Sequence, residues 1–589
     1  MSIFDVLSLL CGLALFLYGM NVMGDALKKS AGNRLKTILG SLTSNQAKGF
    51  LLGLGVTAII QSSSATTVMV VGFVNSATMT LTQAVGVIMG ANVGTAVTSW
   101  LTGLSGVGSG ESVSAFLNWI KPSAWMPVLA VVGLGLTMFS KRDRRKSIGE
   151  VLLGFSVLMV GMDIMSSSVS GLKDSESFRS ILTMFENPIL GVIAGTVITA
   201  IVQSSSASVG ILQSLTTTGA ITYGAAIPII MGQNIGTCVT ALISSISANR
   251  NGKRAAVIHL YFNIIGVVVW LSVFYILNAI FHFAFVGSTI GMWGVASVHT
   301  IFKILSVMLM APFTKQLEKL AVLTVRDKGR DGEANLLDER LLSTPSVAIK
   351  CCDEVADKMA SVSCDALRRA ADILLAYDEK SAEVVYSYED KADRYEDAIS
   401  SYLVKLSSRE MSESDSHEIT KLLRVIGDFE RISDHAVNLV ESSQEMFDKK
   451  LEFSEFAKEE IRVLCSAVLE IVSLAEKSFT DGDLQAASKV EPLEEVVDFL
   501  KDQIKLQHTL RLQKSECTIE HGFILSDMLT NLERVADHCS NIAGCVIEMT
   551  RFDELSLHEY LGNVKRTGEE FDRDYKAYLR KYSIDYIEN

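Results

Sequence analysis

The chain has 589 residues, of which 49% are hydrophobic and 20% charged, and its formal net charge is −13. Residues 1–313 contain 17 Lys and Arg against 9 Asp and Glu, the rest contain 36 against 57, and 34 of the 42 glycines precede residue 314. This composition excludes a disordered chain, a collagen and a disulfide scaffold. It predicts an apolar, glycine-rich membrane domain followed by a charged, soluble helical domain.

Apolar stretches predict the helices that cross the membrane, because a crossing needs about 20 residues at a rise of 1.5 Å each. Two other apolar stretches, 49–75 and 187–216, are interrupted by polar residues, and each half has only about 12 residues, too few to cross. These two are predicted to be re-entrant hairpins, whose non-helical tips are tolerated only inside protein or beside water. The seven predicted spans are 3–23, 82–100, 123–140, 148–165, 224–244, 255–281 and 289–311.

Loop charges predict the orientation, because cytosolic loops carry an excess of Lys and Arg. With Met1 outside, the inner loops 24–48, 141–147 and 245–254 hold thirteen Lys and Arg, and the outer loops hold three. We therefore expect a multi-pass protein of the cytoplasmic (inner) membrane, with its amino end outside and its C-terminal domain in the cytosol.

The membrane part contains an internal repeat, in which Gly49 corresponds to Gly191 and the same offset holds throughout. Residues 49–98 and 191–240 align without a gap and are identical at 20 of 50 positions. Three predicted spans separate the starts of the two copies, and because three is odd, the second copy enters the membrane from the opposite face. Inverted repeats of this kind are the architecture of many secondary transporters.

Each predicted hairpin tip has the sequence QSSS, at 61–64 and 203–206, and each copy also has a G-x-N-x-G-T segment. Hydroxyl and carbonyl oxygens can replace the hydration shell of a hard cation. Hydroxyls and the free N–H groups at the start of a half-helix can hold an oxyanion. The residues predicted to bind the transported ions are Gln61, Ser62, Ser63, Ser64, Thr66, Asn92, Thr95, Gln203, Ser204, Ser205, Ser206, Ser208, Asn234 and Thr237.

Other interpretations of these polar groups are weaker. Ser and Thr also join membrane helices without a ligand, but two matching patches at two helix breaks favour a site. There is no G-x-S-x-G elbow and no P-loop, so the sequence supports neither a serine hydrolase nor an ATPase. Asp163 matches Asn21 and is interpreted as an ion ligand or a group facing an interior cavity. Lys303 is expected to reach the cytosolic surface, and His259 and His299 to pack between helices.

Beyond a charged segment that includes KGRDG at 328–332, apolar residues recur at helical spacing in six long stretches. The six stretches form two sets of three, since DFERISDHAVNL at 428–439 matches NLERVADHCSNI at 531–542. The predicted helices are 345–376, 379–407, 414–447, 452–480, 484–512 and 516–549.

The motif E-R-x-x-D-H places two carboxylates four residues apart, on one face of a helix in each set. With acidic residues on a facing helix, such a pair can bind a cation. A single pair of this kind more often lies on a solvated face or in an ion pair. Because the motif is duplicated and its copies also contain His435 and His538, a metal site is as favoured as these alternatives. The candidate metal ligands are Glu389, Asp393, Glu430, Asp434, Glu491, Glu495, Glu533 and Asp537.

The predicted fold class is all-α: a polytopic membrane domain of two inverted repeats with re-entrant hairpins, followed by a cytosolic helical bundle of two three-helix repeats. The predicted boundaries are 1–313 for the membrane domain (repeats at about 1–140 and 143–282, with a final span at 289–311), 314–340 for a linker, 341–550 for the bundle and 551–589 for a charged helical tail without an assigned function.

The paired QSSS motifs, each followed by G-x-N-x-G-T, resemble the type II sodium–phosphate cotransporter family in its bacterial form, over about 1–313. The duplicated three-helix pattern with E-R-x-x-D-H resembles a PhoU domain, over about 340–550. The first resemblance implies a secondary active transporter, not an enzyme, that moves inorganic phosphate with Na⁺ at the two QSSS tips. The second implies a regulatory role in phosphate homeostasis and a divalent or iron metal on the acidic faces.

The expected partners are inorganic phosphate, sodium ions, membrane lipid and cytosolic phosphate-signalling proteins. Nucleic acid is disfavoured by the negative charge of the second half. Two alternatives stay open: a membrane phosphate sensor or scaffold without significant turnover, and a phosphate exporter. Direction, sodium stoichiometry, affinity and oligomeric state are not determined by the sequence.

Overall fold

The computed structural model divides into two compact units, Met1–Ala348 and Ile349–Asn589. Its described residues form α-helices and short 3₁₀ turns, and among them the sole β feature is an isolated bridge between Thr222 and Thr289. The predicted all-α fold is thereby confirmed. The residues described are 3–40, 46–76, 78–106, 122–174, 180, 182, 184–326, 337–409, 411–550 and 569–584.

The membrane unit is built from fourteen α-helices within the described residues. They are α1 (Ile3–Gly40), α2 (Gln46–Ile60), α3 (Ser63–Asn75), α4 (Leu81–Gly94), α5 (Ala96–Gly103), α6 (Pro122–Phe139), α7 (Asp143–Val169), α8 (Pro188–Val202), α9 (Ser205–Thr216), α10 (Tyr223–Gly236), α11 (Cys238–Ser245), α12 (Arg250–Phe281), α13 (Met292–Met310) and α14 (Thr314–Thr324).

Six described segments are long and apolar enough to cross a membrane. The predicted seventh span coincides with α6, whose described stretch Trp125–Phe139 is apolar but shorter. The predicted hairpins consist of the short pairs α2–α3 and α8–α9. The six segments are Ile3–Ala31, Leu81–Gly103, Arg144–Leu172, Tyr223–Ser245, Arg250–Phe281 and Met292–Thr324.

Two predicted spans, 82–100 and 224–244, are interrupted by a one-residue break at a threonine. Thr95 separates α4 from α5, and Thr237 separates α10 from α11. The hydroxyl of Thr95 donates to Ala91 O at 3.2 Å and to Asn92 O at 2.8 Å. Thr237 bonds with the two equivalent carbonyls of its own helix. Such side-chain bonds compete with the helical backbone pattern, which accounts for the break.

The equivalent helices of the two copies, α1 and α7, pack against each other in antiparallel directions. Gly12 of α1 contacts Gly161 of α7, and Gly19 contacts Gly154. In the alignment of the two copies Gly12 corresponds to Gly154, and Gly19 corresponds to Gly161. Exchanging the two copies therefore turns the Gly12–Gly161 contact into the Gly19–Gly154 contact. A Cβ atom on Gly19 would lie 2.3 Å from the backbone nitrogen of Leu158, so the helices can approach this closely only with glycine. This relation between the copies is the one that inverted repeats require.

The segment predicted as a linker, 314–340, is structured at both of its described ends. It begins with α14 and leads into a 3₁₀ turn at Glu339–Ser343. Asn75 Nδ2, at the end of α3, donates to Asp338 Oδ2 at 2.7 Å, and Arg340 Nε donates to Ser244 O at 2.9 Å. The end of the segment is therefore bonded to the membrane unit. Its KGRDG sequence lies outside the described residues.

The described part of the C-terminal unit contains six long helices and a shorter one. Helices α17 and α20 pack together, and they carry the two copies of the E-R-x-x-D-H motif. The shorter helix, α21, lies in the predicted tail and packs against α19; residues 551–568 lie outside the description. The helices are α15 (Pro345–Ile373), α16 (Glu379–Ser407), α17 (Glu413–Lys449), α18 (Glu455–Thr480), α19 (Leu484–Gln513), α20 (Ile519–Thr550) and α21 (Glu569–Lys581).

Candidate transport site

Each re-entrant hairpin changes direction at the glutamine of its QSSS motif. The backbone φ is 59° at Gln61 and 56° at Gln203, in the left-handed region that residues other than glycine rarely adopt. The next residues, Ser62 and Ser204, are extended, and each side chain accepts a bond from the N–H three residues later at 3.2 Å. A left-handed glutamine costs about 1–3 kcal/mol, and such strain is most often found at functional positions.

Both tips line one cavity of about 300 Å³. The other wall is provided by α1, including Asn21 and an ion pair of 2.9 Å between Lys28 and the exposed Asp25. The structure therefore brings together two motifs that belong to different copies of the repeat and are far apart in the sequence. The tip residues that line the cavity are Gln61, Ser62, Ser63, Ser64, Gln203, Ser204, Ser205 and Ser206.

The two glutamines have different environments. Gln61 is 5% exposed, its Oε1 accepts from Thr98 Oγ1 at 2.9 Å, and its Nε2 donates to Ala58 O. Gln203 is exposed, and within the described residues its carboxamide has no hydrogen bond to protein. Gln61 therefore fixes the shape of the first tip, whereas the Gln203 carboxamide is available to a ligand.

The second copy contains three buried oxygen atoms without a hydrogen-bond partner among the described residues. They belong to Thr199, Ser208 and Gln233, each at most 2% exposed. Gln233 Nε2 donates to Ser208 O at 3.0 Å, so these two residues are adjacent. In the first copy the residues equivalent to Thr199 and Ser208, Thr57 and Thr66, bond to each other at 3.0 Å.

Thr199 and Gln233 were not among the predicted site residues. A signal for Gln233 was present in the sequence, because MGANVGT in the first copy becomes MGQNIGT in the second. No sequence signal separates Thr199 from Thr57, since both copies have threonine there. The difference in hydrogen bonding arises from their partners, Ser208 and Thr66.

The residues of the G-x-N-x-G-T segments lie behind the tips and do not line the cavity. Asn92 and Asn234 donate to carbonyls of their own helices, at 3.3 and 2.8 Å. Thr95 and Thr237 are buried at the helix breaks described above. Their contact with the transported ions stays a prediction.

Three predictions for single membrane residues have different outcomes. The expectation that Lys303 reaches the surface is wrong: it is 3% exposed, and its Nζ donates to Thr95 Oγ1 at 2.7 Å. His299 packs between helices as expected, and its Nδ1 bonds with Ser99 Oγ at 2.8 Å. Asp163 is exposed and does not line the cavity, whereas the equivalent residue Asn21 does.

Two family models match the chain. The model described as Na+/Pi-cotransporter matches residues 15–167 and again 159–297, and the PhoU domain model matches 356–443 and 461–546. The chain carries a Na+/Pi-cotransporter domain followed by a PhoU domain. Both resemblances inferred from the sequence motifs are thereby confirmed, and each model matches twice, as the two internal duplications predict.

Individual relatives extend over different parts of the chain. The protein named "Putative inorganic phosphate export protein YjbB" of Salmonella typhimurium is 24% identical over 563 residues, 93% of this chain and 98% of its own length. The human protein named Sodium-dependent phosphate transport protein 2B is 39% identical over 132 residues, 21% of this chain and 19% of its own length. The crystal structure of PhoU from Pseudomonas aeruginosa is 23% identical and covers 34% of this chain and 96% of that chain, with a TM-score of 0.33.

In the first half of the PhoU domain, the four predicted metal ligands influence one another electrostatically. Burial raises the pKa of Glu389, and the negative charges of Asp393 and Asp434 raise it further. Burial likewise raises the pKa of Glu430, with Asp434 and Asp393 adding to the shift. Glu396, one turn after Asp393, also acts on Glu430 and was missed in the sequence. Arg431 offsets part of this negative charge, because its Nε lies 3.5 Å from Glu430 Oε2 and its Nη1 lies 3.4 Å from Asp434 Oδ2.

In the second half of the PhoU domain a lysine forms the shorter ion pair with the acidic face. Lys501 Nζ lies 2.8 Å from Glu533 Oε1. Carboxylate oxygens of Glu491, Glu494 and Glu495 lie within 4.8 Å of one another, a spacing that suits a cation. The sequence analysis missed Glu494, although it is three residues after Glu491 and so shares its helix face.

The histidines of the two motifs join the halves of the PhoU domain. His435 Nδ1 bonds with Asn531 Oδ1 at 2.8 Å, and His538 Nδ1 with Asp428 Oδ1 at 2.9 Å. The two rings stack with their centroids 5.6 Å apart. The paired histidines therefore have a structural role that the motif did not predict.

Asp537 is the remaining predicted metal ligand, and burial raises the pKa of its carboxyl group.

Proposed function

We propose that this chain is a sodium-coupled carrier that moves inorganic phosphate across the cytoplasmic membrane by alternating access. The observation that best supports this function is the cavity of about 300 Å³ that both QSSS tips line, at the lower end of the usual range for ligand sites. Because the tips come from inverted repeats, rocking of one repeat against the other exposes the same cavity to each face of the membrane in turn.

Phosphate is held by hydroxyls and backbone amides. Ser62 and Ser204 cap α3 and α9, and the first N–H groups of a helix have no partner within that helix. Two helix N-termini at one cavity favour an anion. Ser63 and Ser205, the first residues of the two helices, line the cavity and contribute their hydroxyls.

Sodium binds in the second copy through the unpartnered oxygens of Thr199, Ser208 and Gln233. Hydroxyl and amide oxygens are the ligands that hard cations prefer. A buried polar atom without a partner is costly in an apolar interior. A bound cation removes this cost, which links sodium binding to the conformation of the second hairpin.

The PhoU domain lies in the cytosol, binds a divalent or iron metal at the carboxylates of its two acidic faces and adjusts the transport rate to phosphate or metal status. An all-oxygen donor set suits a hard divalent cation. The segment that leads into this domain is bonded to α3 through Asp338 and Asn75, so it reaches the helix that starts at Ser63. Cytosolic phosphate-signalling proteins are partners of this domain.

The test measures radiolabelled phosphate uptake into proteoliposomes, with a sodium gradient compared with an equal potassium gradient. We expect uptake with sodium alone, and loss of uptake in the double variant Ser63→Ala, Ser205→Ala at unchanged insertion. Correctly inserted wild-type protein without sodium-dependent flux in either direction contradicts the proposal.

A second candidate function is phosphate export, which the name of the relative covering 93% of the chain favours. Vesicles of known sidedness, loaded with phosphate on one side at a time, distinguish export from uptake. A sensor without turnover is the third candidate. Deletion of 349–589, the boundary at which the two units divide, leaves coupled flux in a carrier, whereas a sensor shows no flux in either form.

A further inference from the structure

Lys303 is a buried amine that the proposed transport site does not use. It lies in α13, and its Nζ donates to Thr95 Oγ1 at 2.7 Å. Among the described residues no carboxylate forms an ion pair with it. A cation in an apolar region without a counter-ion is costly, and an ionisable residue inside a membrane segment usually serves function.

The described helices around Lys303 contain no protein anion. The helices packed against α13 are α4, α5, α9, α10 and α12, and none of their sequences includes Asp or Glu. The charge of Lys303 acts on His259 and His299. Each of these histidines has one ring nitrogen without a partner among the described residues, His259 Nδ1 and His299 Nε2. A histidine is neutral or positive, so neither can balance the ammonium group.

A short chain of contacts links Lys303 with the first QSSS tip. Thr95 Oγ1 accepts a hydrogen bond from Lys303 Nζ between α4 and α5, and one turn later Thr98 donates to the Gln61 carboxamide at 2.9 Å. The second copy lacks this arrangement. Its equivalent threonine, Thr237, bonds with carbonyls of its own helix, and among the described residues no lysine donates to it.

The two copies therefore differ in where positive charge can come from. The second copy has three unpartnered oxygens that suit a cation. In the first copy Thr57 and Thr66 bond to each other, and Ala91 stands where the second copy has Gln233. Behind the first tip stands instead the amino group of Lys303, in α13, which belongs to neither copy.

We propose that Lys303 is a built-in positive charge that favours phosphate at the first tip, as the bound sodium ion does at the second. This inference rests on the proposed function. Lys303 does not line the cavity, so it is a positioning residue that acts through Thr95, α5 and Gln61. Its field extends through an apolar interior, where charges interact more strongly than in water.

The test compares Lys303→Met, which removes the charge at similar length, with Lys303→Arg, which keeps it. Full-length protein in detergent is melted with inorganic phosphate, and separately with sodium chloride against choline chloride. We expect the phosphate-induced rise in melting temperature to be lost in Lys303→Met and kept in Lys303→Arg. The sodium-induced rise stays unchanged in both. The exposed Lys315→Met in α14 is the matched control and keeps both effects.

Transport kinetics add a second readout. In proteoliposomes we expect Lys303→Met to raise the KM for phosphate about tenfold and to change kcat less, because the charge stabilises bound phosphate. An unchanged phosphate response in Lys303→Met overturns the proposal. Loss of the sodium response together with the phosphate response in the folded variant also overturns it, because that result indicates a structural role.

If Lys303→Met does not insert, Lys303→Ala is melted with phosphate in the presence of propylammonium or propanol. Rescue of the phosphate response by propylammonium alone supports the proposal, whereas rescue by both or by neither overturns it. Absence of sodium-driven flux in wild type refutes the proposed function by itself. A phosphate response that still depends on Lys303 then leaves this inference supported.

Discussion

The hairpin tips of the two copies have the same backbone conformation, but the copies use their polar groups differently. In the first copy the Gln61 carboxamide and the Thr57 hydroxyl bond with neighbouring side chains. In the second, Gln203 is exposed at the cavity, and the hydroxyl of Thr199 has no partner among the described residues. The comparison teaches that a duplication can keep two matching hairpin tips while, among the described residues, only the second copy has buried oxygens at these positions without a protein partner.

The largest expected effect on phosphate flux concerns a feature that the two copies share, the serine hydroxyl at the first residue of α3 and of α9. Hydrogen bonds to a charged group contribute about 1.5–3 kcal/mol each, so Ser63→Ala with Ser205→Ala should lower phosphate flux at least about 100-fold. The two single variants should lower phosphate flux by similar amounts, each less than the double variant does. The control is Ser168→Ala in α7, a residue that does not line the cavity. Normal flux in one single variant would remove that serine from the site and break the symmetry of the tips.

The next effect tests the symmetric packing of α1 and α7. A Cβ on Gly19 would lie 2.3 Å from the Leu158 nitrogen, and one on Gly161 would lie 2.4 Å from the Phe16 nitrogen. Gly19→Ala and Gly161→Ala should therefore destabilise the protein about equally, by about 1–3 kcal/mol each, measured as melting temperature in detergent.

The control for this packing is Gly55→Ala in α2, where a Cβ would meet nothing within 4 Å. Removing a helix-interior glycine there should stabilise the protein by about 0.5–1 kcal/mol. Equal effects of alanine at Gly55 and Gly19 would show that α1 and α7 are not in close contact in solution.

A smaller effect separates the copies at one pair of equivalent threonines. Thr199→Val should raise the sodium concentration for half-maximal flux about tenfold, because one proposed ligand is lost. Thr57→Val should leave sodium dependence unchanged but lower stability by about 1 kcal/mol, since it breaks a buried hydrogen bond. If both variants shifted sodium dependence equally, the proposed assignment of sodium to the second copy alone would fail.

The smallest effect extends the comparison to the two halves of the PhoU domain. Mn²⁺ should raise the melting temperature of the full-length protein, and Glu430→Gln should reduce this rise more than Glu533→Gln, because the Lys501–Glu533 ion pair is shorter, at 2.8 Å, than the Arg431–Glu430 pair at 3.5 Å. The measurement is a thermal melt with and without Mn²⁺. Equal reductions would indicate that both halves bind the cation alike.

The same acids give this effect a defined pH dependence. The pKa values of Glu389, Glu430 and Asp434 are raised, first by burial. The folded metal-free domain therefore binds more protons than the unfolded chain as pH falls towards these pKa values, so their contribution to stability increases at low pH and is lost as pH rises through them. Protons compete with the metal, and the stabilisation by Mn²⁺ should be larger at about pH 7.5 than at about pH 5.

Much of the fold could be predicted from self-similarity and local composition. The match of 49–98 with 191–240 identified the two hairpins, and the match of 428–439 with 531–542 identified the paired helices of the PhoU domain. Apolar length and interruption by QSSS predicted short hairpins instead of spans. The breaks at Thr95 and Thr237 were missed, because threonine in an apolar run is compatible with a continuous helix until its hydroxyl bonds with the backbone.

The sequence by itself determined which groups stand at the two tips, since motif and spacing are local properties. Only the tertiary structure decided which of those groups remain available to a ligand, because hydrogen-bond partners are chosen by contacts across the fold. Lys303 and Thr95 are 208 residues apart in the chain, and Asn75 and Asp338 are 263 apart. No local sequence pattern specifies such pairs. The burial of Lys303 and the hydrogen bonding of segment 314–340 to α3 therefore depend on how the helices pack.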